Sequence, residues 1–136
     1  VEDDESLAEA FWAVARRLRH RSREALAPWD VTPSQWRAVA TLMRHRTLRL
    51  SELSEHLRIA PRSTTEVVDG LQERGFVERL PDPHDRRATL VQLTGKGTEL
   101  GHSIGAVRAA DAEGIFGLLD DADRAELTRI LRTLRG

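Results

Sequence analysis

Apolar residues recur at helical spacing over most of this chain and alternate with polar ones only in a short central stretch. Leu7, Phe11, Val14 and Leu18 follow an i, i+4, i+7, i+11 rhythm that places them on one face of a helix, and Trp12 and Ala15 widen that face. The rhythm runs to about Ala27 and stops before Pro28, so a first helix is predicted over residues 6–27. A second opens at Thr32-Pro33-Ser34-Gln35. Thr32 can cap it, Pro33 sits where a missing N–H costs nothing, and Gln35 can complete a capping box. Trp36, Val39, Leu42 and Met43 make its buried stripe, which ends near His45.

Leu48–Leu50 is long enough for a small strand. Ser51 is expected to cap a third helix with Leu53 and Leu57 inward, ending around Arg58. Pro61 opens a fourth, with Val67, Val68 and Leu71 inward and Gly75 as its stop. From Pro61 to Arg74 that helix would be ~21 Å long at 1.5 Å per residue, enough to lie along a groove and keep a packed face. Phe76–Leu80 and Thr89–Leu93 read as two strands. The loop between them is Pro81–Ala88, with Pro81 and Pro83 assigned to the turn because neither can donate a ladder hydrogen bond. Thr94 can cap a fifth helix. Gly97, Gly101, Gly105 and Gly114 each cost ~1 kcal/mol there relative to alanine, while Ile104, Val107 and Ile115 still supply apolar positions. Asp120 or Asp121 starts a last helix whose stripe is Leu127, Ile130, Leu131 and Leu134. There is no internal repeat and no low-complexity segment.

This order predicts a mainly α fold with a small β-hairpin: a winged helix–turn–helix over residues 32–94, flanked by a helical layer from residues 6–27 and 95–135, in one domain spanning 1–136. Terminal helices of this size cannot hide their stripes alone. They are expected to pack with one another and against a second copy of the chain, through Leu7, Phe11, Leu127, Ile130, Leu131 and Leu134. Packing within one copy is the plainer alternative.

Composition narrows the class. A chain of 136 residues with 32% charged and 40% apolar residues belongs with soluble globular domains rather than disordered ones. No apolar run approaches the ~20 residues that cross a bilayer, so no membrane partner is expected. The acidic start, Val1 to Glu5, lacks the basic and apolar regions of a signal peptide, which leads to the expectation of a cytoplasmic protein. Cysteine is absent, which excludes disulfides, thiolate metal sites and a cysteine redox switch. The net charge of −1 by itself argues against a strongly basic DNA binder. Yet the basic charge is almost all arginine, 21 Lys+Arg less the single Lys96 leaving 20. Arginine forks onto phosphates and suits narrow minor grooves, so the placement of positive charge matters more than its sum.

Two clusters could carry recognition. Arg62, Ser63, Thr64 and Thr65 sit at the start of the fourth helix, where short hydroxyls reach phosphates or base edges and the helix dipole is positive. The plain alternative is an ordinary solvated helix start. His84, Asp85, Arg86 and Arg87 form the hairpin tip, where one arginine can enter a minor groove. Asp85 is expected to brace an arginine, Arg87. The alternative is a surface ion pair worth only ~0–1 kcal/mol.

Three runs carry a family resemblance: VVDGLQERGFVER at Val67–Arg79, DPHDRR at Asp82–Arg87, and LVQLTGKG at Leu90–Gly97. They resemble the MarR (multiple antibiotic resistance regulator) family of bacterial winged-helix transcription factors, and the helices on either side match as well. The resemblance implies a homodimer joined by the terminal helices and bound to a pseudo-palindromic operator in double-stranded DNA. The fourth helix would enter the major groove and the wing would touch the minor groove. A small aromatic or phenolic effector commonly releases the DNA in that family, and a repressor is the expected role. It also implies an effector pocket, for which Trp12, Arg16 and Trp36 are candidates; the stronger alternative is that the tryptophans, at helical spacing, belong to the core and that Arg16 is simply exposed. Glu66 departs from the family pattern, which often has a basic residue there. A carboxylate at that position can accept from cytosine N4 or repel the backbone.

Enzyme, cofactor and metal readings find little support. His20, His45, His56, His84 and His102 show no i, i+3 or i, i+4 pairing, and Glu55 and His56 are adjacent. Gly95-Lys96-Gly97 is too short for a phosphate loop, and there is no nucleophile elbow. The expectation is a homodimeric regulator with no cofactor and no metal. A winged-helix protein–protein docking module, and a ligand- or metal-binding dimer without DNA activity (a zinc-responsive relative included), are the rival readings.

Overall fold

Thr32 and Gln35 close their capping box: Thr32 Oγ1 accepts the Gln35 N–H and Gln35 Oε1 accepts the Thr32 N–H, both at 3.1 Å. That local signal starts α2, and similar ones start most of the α-helices in this computed structural model, which describes residues 5–136. The signal-peptide reading of the acidic start rests mostly on Val1–Asp4, outside the described residues. The elements run α1 (Leu7–Leu26), a 3₁₀ turn (Ala27–Trp29), α2 (Pro33–His45), β1 (Thr47–Arg49), α3 (Leu50–Leu57), α4 (Pro61–Glu73), β2 (Val77–Asp82), β3 (Asp85–Leu93), α5 (Gly95–Phe116) and α6 (Asp121–Arg135). The three strands form one antiparallel sheet in the order β1-β3-β2. The expected mainly helical fold with a hairpin wing is what forms.

The chain divides into two compact units, Arg23–Ala106 and the segment through Ser22 together with Val107–Gly136. The division falls inside α1 and α5. In the larger unit, Ala38, Val39 and Leu42 of α2 meet Leu53 and Leu57 of α3, Val68 and Leu71 of α4, Val91 of β3 and Ile104 of α5 in a single core. Gly75 ends α4 with φ +79°, a left-handed backbone that glycine adopts without penalty.

Two local expectations need correction. First, α3 begins at Leu50, not after a Ser51 cap. Its N-terminus is closed from the other side, the Glu52 carboxylate accepting the Arg49 N–H at 2.9 Å. Second, the hairpin is longer than the pattern indicated. Pro81 is a strand residue paired with Thr89, and only Pro83 and His84 make the turn. β2 is an edge strand, where proline is tolerated because one side of its backbone needs no partner. The fifth helix forms as expected, running unbroken over Gly95–Phe116, and two of its glycines are points of close approach. A methyl group on Gly97 would fall on the Phe76 carbonyl oxygen, and one on Gly101 would fall on the Met43 sulfur. Thr94 does cap this helix, its Oγ1 accepting the Gly97 N–H at 3.1 Å.

The smaller unit is built from most of α1, the end of α5 and α6. Asp120 caps α6 by accepting the Asp123 N–H at 2.8 Å. Arg124 forks onto Glu113 at 2.6 and 2.9 Å, Arg21 donates to the Asp111 carbonyl at 3.2 Å, and Arg108 donates to Ser22. The apolar stripes of its helices are left largely uncovered. Leu7 is 88% exposed and Leu134 74%; Phe11, Ile130 and Leu131 are also exposed, and Leu127 is half-buried.

Candidate nucleic-acid interface

The helix–turn–helix is α3, a left-handed turn at Arg58 (φ 55°), and α4. Pro61 occupies the first turn of α4, and Val68 and Leu71 point into the core. Helical geometry then turns Arg62, Ser63 and Glu66 outward, and all three are exposed. Thr65 is half-buried, its hydroxyl donating to the Pro61 carbonyl at 3.0 Å.

Thr64 is not on this surface. It is fully buried; its Oγ1 accepts from Ser54 Oγ at 2.7 Å and donates to the Ala60 carbonyl at 3.2 Å. Its hydroxyl therefore joins α3 to α4 and cannot reach a base or phosphate. The signal for this was present in the spacing, since Thr64, Val68 and Leu71 stand at i, i+4 and i+7, one face of the helix. Arg37 makes a second tie, donating from α2 to the Leu57 carbonyl at 2.5 Å.

The wing tip places His84, Arg86 and Arg87 in the open, with Asp85 half-buried. The pair Pro81–Thr89 is followed directly by Asp82–Asp85, so Arg86, Arg87 and Ala88 form a bulge on β3 with no partner on β2. Asp85 meets Arg87 through the backbone, in place of the expected side-chain brace: its Oδ1 accepts the Arg87 N–H at 3.0 Å. This fixes the chain direction at the bulge and leaves the guanidinium to point outward.

Two residues of this site were not singled out from the sequence. Asp82 is buried, and its two carboxylate oxygens accept from the His84 N–H and from Arg49 Nε, each at 2.9 Å. The His84 N–H first, then the Arg49 guanidinium, hold the Asp82 carboxyl below its usual range against the opposing effect of burial. The Asp-Pro-His turn was a visible cue for Asp82. Nothing local marked Arg49, whose partner lies 33 residues on.

The remaining candidates are spread over both units. Trp12 and Arg16 belong to the smaller one. Trp12 is half-exposed, meets Phe11 edge-to-face at 5.8 Å, and has the Arg19 guanidinium 5.9 Å above its ring. Trp36 belongs to the larger unit and packs against its core. His45 and His56, which sequence spacing kept apart, stack with ring centroids 4.3 Å apart. Among the described residues, no group of three metal-capable side chains converges, and no helix is long and apolar enough to cross a membrane.

Known proteins share this architecture. The MarR family profile matches residues 31–89, most of the helix–turn–helix and wing. An uncharacterized HTH-type transcriptional regulator of Mycobacterium bovis is 32% identical over 120 residues, 88% of this chain and 79% of that protein. A MarR family protein from Bacillus stearothermophilus superposes with a TM-score of 0.83 at 28% identity, over 95% of this chain and 90% of that one. A cysteine-to-serine mutant of E. coli MarR, solved in complex with operator DNA, superposes with a TM-score of 0.80 at 25% identity, over 94% and 92%. The chain belongs to the MarR family of winged-helix transcriptional regulators.

Proposed function

We propose that this chain acts as a homodimeric repressor in the cytoplasm that binds a pseudo-palindromic operator, with α4 in the major groove and the wing against the minor groove. The observation that carries the reading is the pairing, within one compact unit, of an exposed α4 face (Arg62, Ser63, Glu66) with an exposed arginine bulge (Arg86, Arg87). The α4 face can read base edges, and the bulge can fill a narrow groove. The E. coli relative, solved in complex with operator DNA, supports the DNA-binding part of this reading. The dimer is supported by Leu7, Phe11, Ile130, Leu131 and Leu134, which stand exposed in the smaller unit. Two such protomers on a symmetric site would present their α4 helices ~34–36 Å apart, one turn of DNA. A small aromatic or phenolic effector would release the DNA by binding one conformation more tightly than the other.

The test is selection of bound sites from random DNA, followed by gel shifts over a salt series. A two-fold symmetric motif is expected, with affinity falling steeply as salt rises because phosphate contacts release counterions. Arg86→Ala with Arg87→Ala should weaken operator binding with the fold intact. An unselective protein, or one whose binding ignores both salt and the wing arginines, would overturn the reading in favour of a docking module. Adding an aromatic carboxylate to the complex tests release separately.

A further inference from the structure

Beyond the Pro81–Thr89 pair, the sheet does little to hold the wing. Three successive residues, Arg86 to Ala88, have no strand partner, and the one pair beyond them is Asp82–Asp85. Unpaired backbone keeps its dihedral freedom unless something outside the ladder removes it. Asp85 does part of this at the Arg87 N–H, and Asp82 is placed to hold the tip. It is the last β2 residue, it is buried, and one of its carboxylate oxygens holds the His84 N–H at the tip.

The other oxygen is held from across the sheet. Arg49 of β1 pairs with Leu90 of β3, and Leu90 pairs in turn with Leu80 of β2. Arg49, Leu90 and Leu80 therefore share one face, and Asp82 lies two residues beyond Leu80. From this row Arg49 Nε reaches over the central strand to Asp82 Oδ2 at 2.9 Å. The Arg49 backbone is itself fixed, because its N–H donates to Glu52 at the start of α3. One residue thus touches both the helix–turn–helix and the wing.

We infer that Arg49 is a positioning residue for DNA recognition: its ion pair with buried Asp82 sets the wing against α3 and α4, so that Arg86 and Arg87 arrive already oriented. The inference rests on the proposed role of the wing. Charge-assisted hydrogen bonds to a buried carboxylate are among the stronger ones, and removing the half-exposed Arg49 side chain would leave the Asp82 carboxylate to the His84 N–H. The lowered Asp82 carboxyl agrees with this, since the bonds from the His84 N–H and from Arg49 both favour its ionised form.

Two experiments test it. The first needs no DNA. Trypsin cleavage of the free, full-length protein is followed by mass spectrometry at the bonds after Arg86 and Arg87. Arg49→Gln should speed cleavage there by roughly 10-fold through local opening, while cleavage after Arg62 stays unchanged. Asp82→Asn should do the same. Unchanged wing cleavage in both variants overturns the inference whatever the protein binds.

The second is a mutant cycle on operator affinity. Arg49→Gln should weaken binding roughly 5–20-fold in the natural wing, and less than about 2-fold when Arg86 and Arg87 are already alanine, because residues acting through one another are not additive. An equal loss in both backgrounds would mean that Arg49 touches DNA itself, and would overturn the positioning role. If Arg86→Ala with Arg87→Ala leaves affinity unchanged, the wing reading fails and takes the recognition part of the inference with it, while the proteolysis result still decides the ion pair's hold on the tip.

Discussion

Thr64→Val separates a structural hydroxyl from a recognition hydroxyl. The substitution keeps the side-chain shape and removes one oxygen. That oxygen is the acceptor for Ser54 Oγ at 2.7 Å, and Ser54 is only 6% exposed. Stranding a buried hydroxyl costs ~1–3 kcal/mol. The bond lost to the Ala60 carbonyl matters less, since that carbonyl still accepts the Thr64 N–H at 3.0 Å. An added methyl in an apolar site returns up to ~0.8 kcal/mol. The net expectation is a loss of ~1–2 kcal/mol, or a melting temperature lower by roughly 4–8 °C for a chain of this size. Ser54→Ala should cost less, ~0.5–1.5 kcal/mol, because Thr64 keeps its bond to Ala60. Together the two substitutions remove both polar groups, and the double variant should be more stable than Thr64→Val alone. Denaturant unfolding of the four proteins at one fixed concentration measures this, because the proposed self-association would make stability depend on concentration. Operator affinity, measured on folded protein, should barely change. A Thr64→Val protein of full stability that has lost its operator would refute the argument and return Thr64 to the DNA-facing surface.

Other outcomes follow from the same contacts. Gly97→Ala should destabilise by ~1–3 kcal/mol, as its methyl meets a backbone carbonyl that cannot move aside. Gly105→Ala on the same helix, where the nearest atom is Trp36 Cη2 at 3.9 Å, should stabilise by up to ~1 kcal/mol. Equal melting shifts for the two would show that close approach is not what selects glycine. If the proposed dimer joins through the exposed α6 stripe, Leu131→Asp should convert it to monomer in sedimentation velocity by placing an unpaired charge in an apolar seam, and an intact dimer would move the interface elsewhere. The Asp82 carboxyl is lowered in the folded chain, so its contribution is present above the unfolded carboxyl range, near about 4, and is lost as pH falls through the lower folded value. Asp82→Asn should therefore flatten the acid limb of a stability–pH profile; an unchanged limb would show that the carboxylate is not held as described.

Much of this molecule was legible because its signals are local. A capping box needs two residues three apart, and Thr32 with Gln35 marked the start of α2 to the residue. Apolar stripes need only the helical period, so Val68 and Leu71 declared the inner face of α4. Gly75 declared its end, where the chain turns left-handed. The arginines of the wing tip were visible as a run, and their exposure follows from lying on a hairpin end. Even the burial of Thr64 was encoded in its spacing; reading it by residue type rather than by position set it on the wrong face.

The sequence by itself thus determined which segments would be helix, which would be strand, and that a charged hairpin would follow a helix–turn–helix. Tertiary structure alone decided three things. It made Pro81 a strand residue, because only the assembled sheet shows that β2 is an edge. It turned Gly97 and Gly101 from apparent weaknesses of α5 into points of close packing against Phe76 and Met43. It also joined Arg49 to Asp82, which no pattern within a helix or strand could signal, because the charge that each one answers lies 33 residues away and comes within reach only after β3 has inserted between their strands.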